Sequence, residues 1–225
     1  MSLLAQRALL ADEDGDRPIH VAAVHGDEEL VRRLCGLMKS VGASLDSANY
    51  LGQTPLHLAV LAKKVGPASV LLQEGASLPP RDRGGNTALH LAVRNFDRPC
   101  LRLLLDHPDR RRILDARNYD GYTPLHEAVF RDNLSAVRML VAAGCDVDAG
   151  DGKSGRTALM HSVMKENDDA VCLLKKFGAC PRKTDYSGID PVRVASDRGN
   201  VALAAILEGK VTANAFSLDS VSHFR

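Results

Sequence analysis

One short stretch of the sequence carries residue types that could bind a nucleotide phosphate. Residues 149–160 read AGDGKSGRTALM, and Gly152, Lys153 and Ser154 match the end of the phosphate-loop motif G-x-x-x-x-G-K-[ST]. The motif needs a glycine five residues before Gly152, where the chain has Val147. A phosphate loop also joins a strand to a long helix. We therefore predict a tight turn built on glycines here, with no bound nucleotide.

Histidine and cysteine are the other residues whose chemistry could serve catalysis or metal binding. Four histidines, His20, His57, His90 and His126, recur at steps of 37, 33 and 36 residues, so they are distributed along the chain instead of clustered. The five cysteines form no C-x-x-C pair, which indicates reduced thiols and no zinc site. They are Cys35, Cys100, Cys145, Cys172 and Cys180. We predict no catalytic residues, no cofactor and no metal.

The composition narrows the class of protein further. The chain has 225 residues, a net charge of +1, and 4% aromatic residues with no tryptophan. A charge so close to zero gives no general attraction to nucleic acid or to an anionic membrane. The first residues, MSLLAQRALLADEDGD, are not apolar enough for a secretory signal, and no apolar run approaches the ~20 residues of a membrane helix. We expect a cytoplasmic protein, with shuttling to the nucleus left open.

A single unit repeated along the chain must position all of these residues. Its core reads GDRPIHVAA at 15–23, GQTPLHLAV at 52–60, GNTALHLAV at 85–93, GYTPLHEAV at 121–129, GRTALMHSV at 155–163 and GIDPVRVAS at 188–196. Successive copies are 37, 33, 36, 34 and 33 residues apart. A period of ~33 residues with the signature T-P-L-H-x-A resembles the ankyrin-repeat family.

The resemblance implies an all-α fold with β-hairpin fingers, in which ankyrin repeats form a solenoid. We predict six repeats within residues 12–209, at approximately 12–48, 49–81, 82–117, 118–151, 152–184 and 185–209. Residues 1–11 would form a lead-in. The tail, residues 210–225, has no periodicity, and we expect it to be mobile.

Each motif residue has a physical role in such a repeat. Glycine permits a turn with positive φ, threonine caps the following helix, and proline occupies its first turn. In the family, the histidine bonds to the backbone of an adjacent loop. Met160 takes the histidine position in the fifth copy, with His161 next to it, so we expect a weaker tie there. The sixth copy departs most, and we predict that it is the least stable until a partner orders it.

Charged residues concentrate in two places. The acidic set opens the array and comprises Asp12, Glu13, Asp14, Asp16, Asp27, Glu28 and Glu29. The basic set belongs to repeats three and four and comprises Arg81, Arg83, Arg98, Arg102, Arg110, Arg111, Arg112 and Arg117. Each set has two interpretations: a solvated face, or a contact surface for a partner of opposite charge.

Individual repeats are more specific than the family signature. In chain order, the segments DEDGDRPIHVA, NYLGQTPLHLAV, DRGGNTALHLA, DARNYDGYTPLH and GKSGRTAL resemble the IκB group of ankyrin proteins. That group includes the IκB inhibitors, their nuclear relatives and the ankyrin halves of NF-κB precursors. The resemblance implies a non-enzymatic protein, monomeric when free, that binds a Rel/NF-κB-type dimer and masks its nuclear-localisation segment without contacting nucleic acid.

The resemblance also implies two groups of contact residues. The acidic end would meet the basic localisation segment through Asp12, Glu13, Asp14, Asp27, Glu28 and Glu29. The fingers would meet the dimerisation domains through Asn118, Tyr119, Asp120, Tyr122, Lys153, Ser154, Arg156 and Tyr186.

Two features of inhibitory IκB proteins are missing. Residues 1–11 contain no D-S-G phosphodegron, and beyond Gly209 the only acidic residue is Asp219. The sequence therefore leaves open a trimmed inhibitor, a nuclear cofactor that rides on DNA-bound dimers, and a constitutive decoy without control tails. A generic ankyrin adaptor with an unrelated partner is a further alternative.

Overall fold

The protein is built from helices joined by turns. The computed structural model describes residues 3–210, so most of the predicted tail lies outside the described residues. Helix α1 (Leu3–Leu9) comes first, and six pairs of helices follow. The pairs are α2 (Pro18–His25) and α3 (Glu28–Ser40), α4 (Pro55–Leu61) and α5 (Val65–Gln73), α6 (Ala88–Arg94) and α7 (Arg98–Asp106), α9 (Pro124–Phe130) and α10 (Leu134–Ala142), α11 (Ala158–Met164) and α12 (Asp168–Lys176), and α13 (Pro191–Asp197) and α14 (Val201–Leu207).

The pairs stack into two layers. The first helices, α2, α4, α6, α9, α11 and α13, pack on one another in chain order and form the first-helix layer. The second helices, from α3 to α14, form the second-helix layer. Buried alanines such as Ala59, Ala92 and Ala128 recur in the first helices, and each is fully buried. Because alanine is small, neighbouring helices approach closely and bury a continuous aliphatic core.

The third pair carries extra residues before α9. They form a 3-10 turn (Pro108–Arg110) and the short helix α8 (Arg111–Leu114). Ile113 and Leu114 are buried in the core, while Arg111 and Arg112 are exposed. The added segment therefore folds onto the array and presents arginines on its surface.

The segments that precede the helix pairs, which we call fingers one to six in chain order, differ from the predicted β-hairpins. They comprise residues 10–17, 41–54, 74–87, 115–123, 143–157 and 177–190. Residues 3–210 contain no strand, and the only bridge is an isolated antiparallel one between Gly150 and Thr157. One reason is that side-chain oxygens take up backbone donors at the turns. The Oδ1 of Asn49, for example, accepts from the amides of Leu51 (3.0 Å) and Gln53 (2.9 Å).

Four of the six first helices begin at a residue whose side chain accepts a hydrogen bond from the backbone of the first turn. Thr54, Thr123 and Thr157 accept hydrogen bonds from the backbone amides three residues later. In the sixth pair Asp190 replaces threonine, and its carboxylate accepts from the Arg193 amide at 2.8 Å. The sixth copy therefore keeps its helix cap despite its altered motif.

We expect the last helix pair to open more readily than the middle ones. Arg193 occupies the histidine position, is exposed, and pairs only with Asp197 of its own helix among the described residues. In solenoids, stability is approximately a sum over repeats and their interfaces, and α14 has no following helix in the described array. Amides of α13 and α14 should exchange with solvent at least about ten-fold faster than those of α9 and α10. Equal protection across the array, measured by hydrogen exchange, would contradict this prediction.

Candidate protein-binding surface

The finger tips are connected by a regular row of backbone hydrogen bonds. In each case an amide at the tip donates to a carbonyl of the preceding finger, at 2.8–3.0 Å. The donor and acceptor residues are Tyr50 and Asp14, Arg83 and Leu51, Tyr119 and Gly84, Gly152 and Gly121, and Tyr186 and Ser154. Because each tip is bonded to the one before it, the five donor residues hold equivalent positions along one edge of the array.

Three of these equivalent positions carry exposed tyrosines. Tyr50, Tyr119 and Tyr186 are 64%, 69% and 72% exposed. Each ring lies against a glycine with positive φ in the preceding finger: Gly15 (φ +80°), Gly85 (φ +75°) and Gly155 (φ +73°) respectively. A Cβ atom at Gly85 would stand 2.6 Å from a ring carbon of Tyr119, so glycine is needed both for the backbone angle and for the close approach.

These tyrosines have the properties of contact residues. One side of each ring is packed against the preceding finger, which limits its motion before a partner arrives, and the rest remains accessible. Ordered aromatic side chains bind at a low cost in conformational entropy. Tyr50 was not among the predicted contact residues, although its position in the repeat is the same as that of Tyr119.

Buried histidines tie each of the first four pairs to the next finger. The Nε2 atoms of His20, His57, His90 and His126 lie 2.9–3.2 Å from the carbonyl oxygens of Ser47, Asn86, Tyr122 and Arg156 respectively. The Nδ1 atom of each ring accepts the amide of the residue three positions earlier, so Nε2 carries the proton and donates. This is the role that the family resemblance implied.

Burial keeps these histidines neutral. It lowers the pKa of His20 and of His57, and it lowers the pKa of His90 and of His126 to about 4. The first-helix layer thus depends on uncharged imidazoles at every interface where the histidine is present.

In finger five, Lys153 and Ser154 of the GKS stretch donate hydrogen bonds to the carboxylate of Asp151. The Oδ1 of Asp151 accepts from the amides of Lys153 (2.9 Å) and Ser154 (2.5 Å), and Oδ2 accepts from the Ser154 hydroxyl (2.8 Å). Although burial favours the protonated acid, hydrogen bonds from Ser154, His161 and Lys153 hold the pKa of Asp151 well below its ordinary value. Amides that could cradle a phosphate are thus taken by the chain's own carboxylate.

The three glycines of this finger have different roles. Gly155 has a φ of +73°, whereas Gly150 and Gly152 have no positive φ. A Cβ at Gly150 would lie 2.6 Å from the Gly155 carbonyl oxygen, and one at Gly152 would lie 3.2 Å from the Cα of Gly121. The prediction that all three supply turn geometry is therefore refined: one supplies the angle, and two permit close contact.

An ion pair connects the fifth and sixth fingers where the histidine is missing. Met160 is fully buried, and the neighbouring His161 turns its Nε2 to Asp151 at 2.9 Å. The Nε of Arg156 lies 3.3 Å from the Asp185 carboxylate in finger six. Arg156, a predicted partner-contact residue, thus also connects the two fingers.

The eight predicted finger residues differ in exposure. Tyr119, Asp120, Lys153 and Tyr186 are exposed, and Lys153 lies 3.3 Å from Asp120. Asn118 is buried, and Tyr122, Ser154 and Arg156 are half-buried. Asn118, for instance, is 4% exposed, and its side-chain amide donates to Asn86 and to Glu127.

At the other end, the six predicted acidic residues are all exposed. Some also have local structural roles: Asp12 accepts from the amides of Asp14 and Asp16, and Asp27 caps α3 through the Leu30 amide at 2.9 Å. The carboxylate of Glu28 lies against α5, at Gly66, where a Cβ would collide with it.

The structure adds an apolar component to this acidic end. A groove of about 670 Å³ opens beside α2 and α3. Leu10, Val21 and Leu30 line it and are 67%, 44% and 41% exposed, and Asp12 and Asp27 line it as well. We call it the acid-rimmed groove. Exposed leucines cannot be told from buried ones by residue type, so the sequence analysis did not find it.

The described residues meet neither the requirements of a metal site nor those of a membrane-spanning helix. No three His, Cys, Asp or Glu residues within 3–210 are close enough to hold a metal ion together. Over the same range no helix has both the length and the apolar character to cross a membrane.

The comparisons with known proteins all identify ankyrin-repeat proteins as similar to this chain. The model for ankyrin repeats (3 copies) matches residues 2–82 and 68–151. The chain is 40% identical over 213 residues to the nuclear factor NF-kappa-B p105 subunit of Gallus gallus, covering 92% of this chain and 22% of that protein. It is 43% identical over 201 residues to the B-cell lymphoma 3 protein of Homo sapiens, covering 89% of this chain and 44% of the relative. The chain thus spans less than half of either relative.

A solved structure agrees with the sequence comparison. The ankyrin repeat domain of Bcl-3, described as a unique member of the IkappaB protein family, superposes with a TM-score of 0.82 at 42% identity. The match covers 89% of this chain and 88% of that domain.

Proposed function

Because the chain belongs to the ankyrin-repeat family, and within it to the IκB-like group, we propose that it binds dimers of Rel/NF-κB-type transcription factors. The observation that carries the proposal is the combination of two surfaces on one array: the acid-rimmed groove at its start and the tyrosine row along its fingers. The proposed role is that of an interaction protein without catalysis.

The acid-rimmed groove is suited to a basic, amphipathic segment. Its carboxylates, among them Asp12 and Asp27, attract lysine and arginine, and its apolar side chains, Leu10, Val21 and Leu30, bury aliphatic surface. A nuclear-localisation segment combines these properties. Occupation of the groove would mask the segment and keep the dimer from being imported.

The tyrosine row would supply the second contact. Tyr50, Tyr119 and Tyr186 hold equivalent positions in fingers two, four and six. A partner that contacts all three must therefore extend along most of the array. A folded dimerisation domain presents a surface of that length. Two contacts of different chemistry, on one rigid scaffold, give specificity through simultaneous engagement.

Titration calorimetry against a Rel-homology dimer tests the proposal. We expect nanomolar-class binding that weakens as ionic strength rises, because part of the interface is electrostatic. Absence of a binding signal at micromolar concentrations of both proteins would refute it.

Charge reversal at the acidic end should remove one contact selectively. Replacing Asp12, Glu13 and Asp14 by lysine should lower affinity for an isolated basic localisation peptide by at least about ten-fold, because attraction becomes repulsion. Reversal of Glu166, Asp168 and Asp169, three exposed carboxylates at or just before the start of α12, is the matched control and should change that affinity less than two-fold. Unchanged peptide affinity in the first variant would place the localisation segment elsewhere.

A second candidate function is that of a cofactor on DNA-bound dimers. The similarity to the Bcl-3 domain, described as unique within the IkappaB family, favours a mode of action that differs from inhibition. The near-neutral charge of +1 also provides no strong repulsion from DNA. A gel shift with dimer and labelled DNA separates the candidates: an inhibitor or decoy releases the DNA, and a cofactor forms a ternary band.

A further inference from the structure

The second-helix layer carries a groove that the proposed function does not use. Two recesses of about 630 and 350 Å³ open between α7 and α10 and share Arg102 and Met139. The remaining lining residues are Arg98 and Pro99 in the first recess, and Leu105, Asp106, Arg110, Ala142 and Ala143 in the second. We call the two recesses together the arginine groove. Among its lining residues only Ala143, the first residue of finger five, belongs to a finger.

The arginines of this groove differ from the other members of the predicted basic set. Arg81 donates to the carbonyl of Arg117, and Arg117 donates to the carbonyl of Gly150 at 2.8 Å, so both hold fingers together. Arg98, Arg102 and Arg110, by contrast, form no ion pair with any residue of the described chain. The basic set therefore contains two kinds of arginine. Arg81 and Arg117 have partners within the protein, whereas Arg98, Arg102 and Arg110 have no acidic partner among the described residues.

Residues close in the chain to the groove lining carry charges of both signs, among them the exposed carboxylate of Asp109 beside Arg110. Arg111 and Arg112 of α8 and Arg138 of α10 are exposed nearby in the chain and also lack an ion pair within residues 3–210. Asp106 is the one acidic residue on the lining, and it pairs with none of the arginines. Three lining guanidiniums against one carboxylate leave a surplus of positive charge over a partly apolar surface.

We propose that the arginine groove binds an acidic peptide segment containing an apolar side chain. Residues i and i+4 of a helix lie ~6 Å apart, which is the spacing of Arg98 and Arg102. Alternate residues of an extended peptide are ~6.6 Å apart, so two carboxylates on one side of the peptide match the two guanidiniums. An apolar side chain of the same peptide would enter the recess beside Met139 and Leu105.

The apolar recess favours a peptide over duplex DNA. Half-buried Met139 offers apolar surface whose burial against another apolar group is favourable, while Leu105, which lines the same recess, is already buried. A phosphate backbone supplies charge without such a group. The proposal does not rest on Rel binding, because the groove shares no lining residue with the acid-rimmed groove and contains none of the finger-tip tyrosines.

Fluorescence anisotropy with the full chain tests the proposal. The probe is a labelled nine-residue peptide with glutamate at positions 3 and 5, leucine at position 7 and serine elsewhere, so that all three side chains lie on one side of the extended peptide. The variant combines Arg98→Ala, Arg102→Ala and Arg110→Ala. We expect saturable binding to the parent protein and at least a ten-fold loss in the variant. The matched control removes the same charge from exposed arginines elsewhere, with Arg7→Ala, Arg33→Ala and Arg131→Ala, and should change affinity less than two-fold.

Several outcomes would overturn the proposal. The parent protein could fail to bind the peptide, or the two triple variants could lose affinity equally, which would indicate non-specific charge attraction. A third is that an unlabelled DNA duplex of random sequence binds the parent more tightly than the peptide does, which would assign the groove to nucleic acid. The thermal unfolding curves of both triple variants should match that of the parent protein. A loss of peptide binding then reflects the loss of the site and not unfolding of the protein.

Discussion

Removing the rings of Tyr119 and Tyr186 together should weaken binding to a Rel-type dimer by at least about 100-fold. Each ring is mostly exposed, yet it is held in place by a glycine of the preceding finger, so it contributes area without a large entropy cost. Central aromatic residues of this kind contribute about 2 kcal/mol or more each when they lie within an interface. The measurement is titration calorimetry of the Tyr119→Ala, Tyr186→Ala double variant.

Two controls separate contact from folding. Phe96 is 55% exposed but belongs to the turn between α6 and α7, so Phe96→Ala should leave affinity unchanged. Tyrosine-to-phenylalanine variants keep the rings and should lose less than about ten-fold. Parent-like affinity of the double alanine variant would remove the finger tips from the interface, while the acid-rimmed groove could still bind its segment.

Acidification should destabilise the array before its carboxylates titrate. The unfolded-state pKa of histidine is about 6.5, whereas burial lowers the pKa of His90 and of His126 to about 4 in the folded protein. Between these values the unfolded chain binds more protons than the folded one. The stability that depends on neutral histidine is therefore complete above pH 6.5 and is lost as the pH falls towards 4. Each of the two should cost about 1–2 kcal/mol at pH 5.

Urea unfolding at pH 7.5 and pH 5.0 measures this loss. The chain itself supplies the comparison residue, because Met160 occupies the histidine position of the fifth copy and cannot titrate. A His126→Met variant should be less stable at pH 7.5, since two hydrogen bonds are lost, but should lose less stability between the two pH values. An exposed replacement, His25→Met, should behave as the parent does. An unchanged pH dependence in His126→Met would show that other groups set the acid sensitivity.

The sequence predicted which fingers carry the candidate site, but not which of their residues are accessible to a partner. Asn118 and Tyr119 are neighbours in the same finger, and both were predicted to contact a partner. The structure buries Asn118 in a hydrogen-bond network with Asn86 and Glu127, whereas Tyr119 is exposed. Whether a side chain in a tight turn points into the array or into solvent depends on where the next finger lies. The sequence of the turn itself does not contain that information.

The basic set illustrates the same limit. Counting arginines in repeats three and four could not show that Arg117 bonds to the Gly150 carbonyl while Arg102 faces a groove without an acidic partner in the described array. Likewise, nothing in the segment around Leu10 and Leu30 indicated that these side chains remain exposed at the acidic end. Charge and apolarity are properties of residues, but pairing and exposure are properties of packed elements.

The sequence by itself determined the helical ankyrin fold, the helix-capping threonines and the histidine position, because a repeated motif imposes the same local geometry each time it occurs. It also excluded a phosphate loop at residues 147–154, because one required glycine is Val147. Only the tertiary structure decided that the fingers are turns without strands, that Asp151 takes the amides of the GKS residues, and which charges are free to meet a partner. The physical reason is that hydrogen bonds between neighbouring repeats use up some side chains and leave others exposed, and this division exists only once the repeats are stacked.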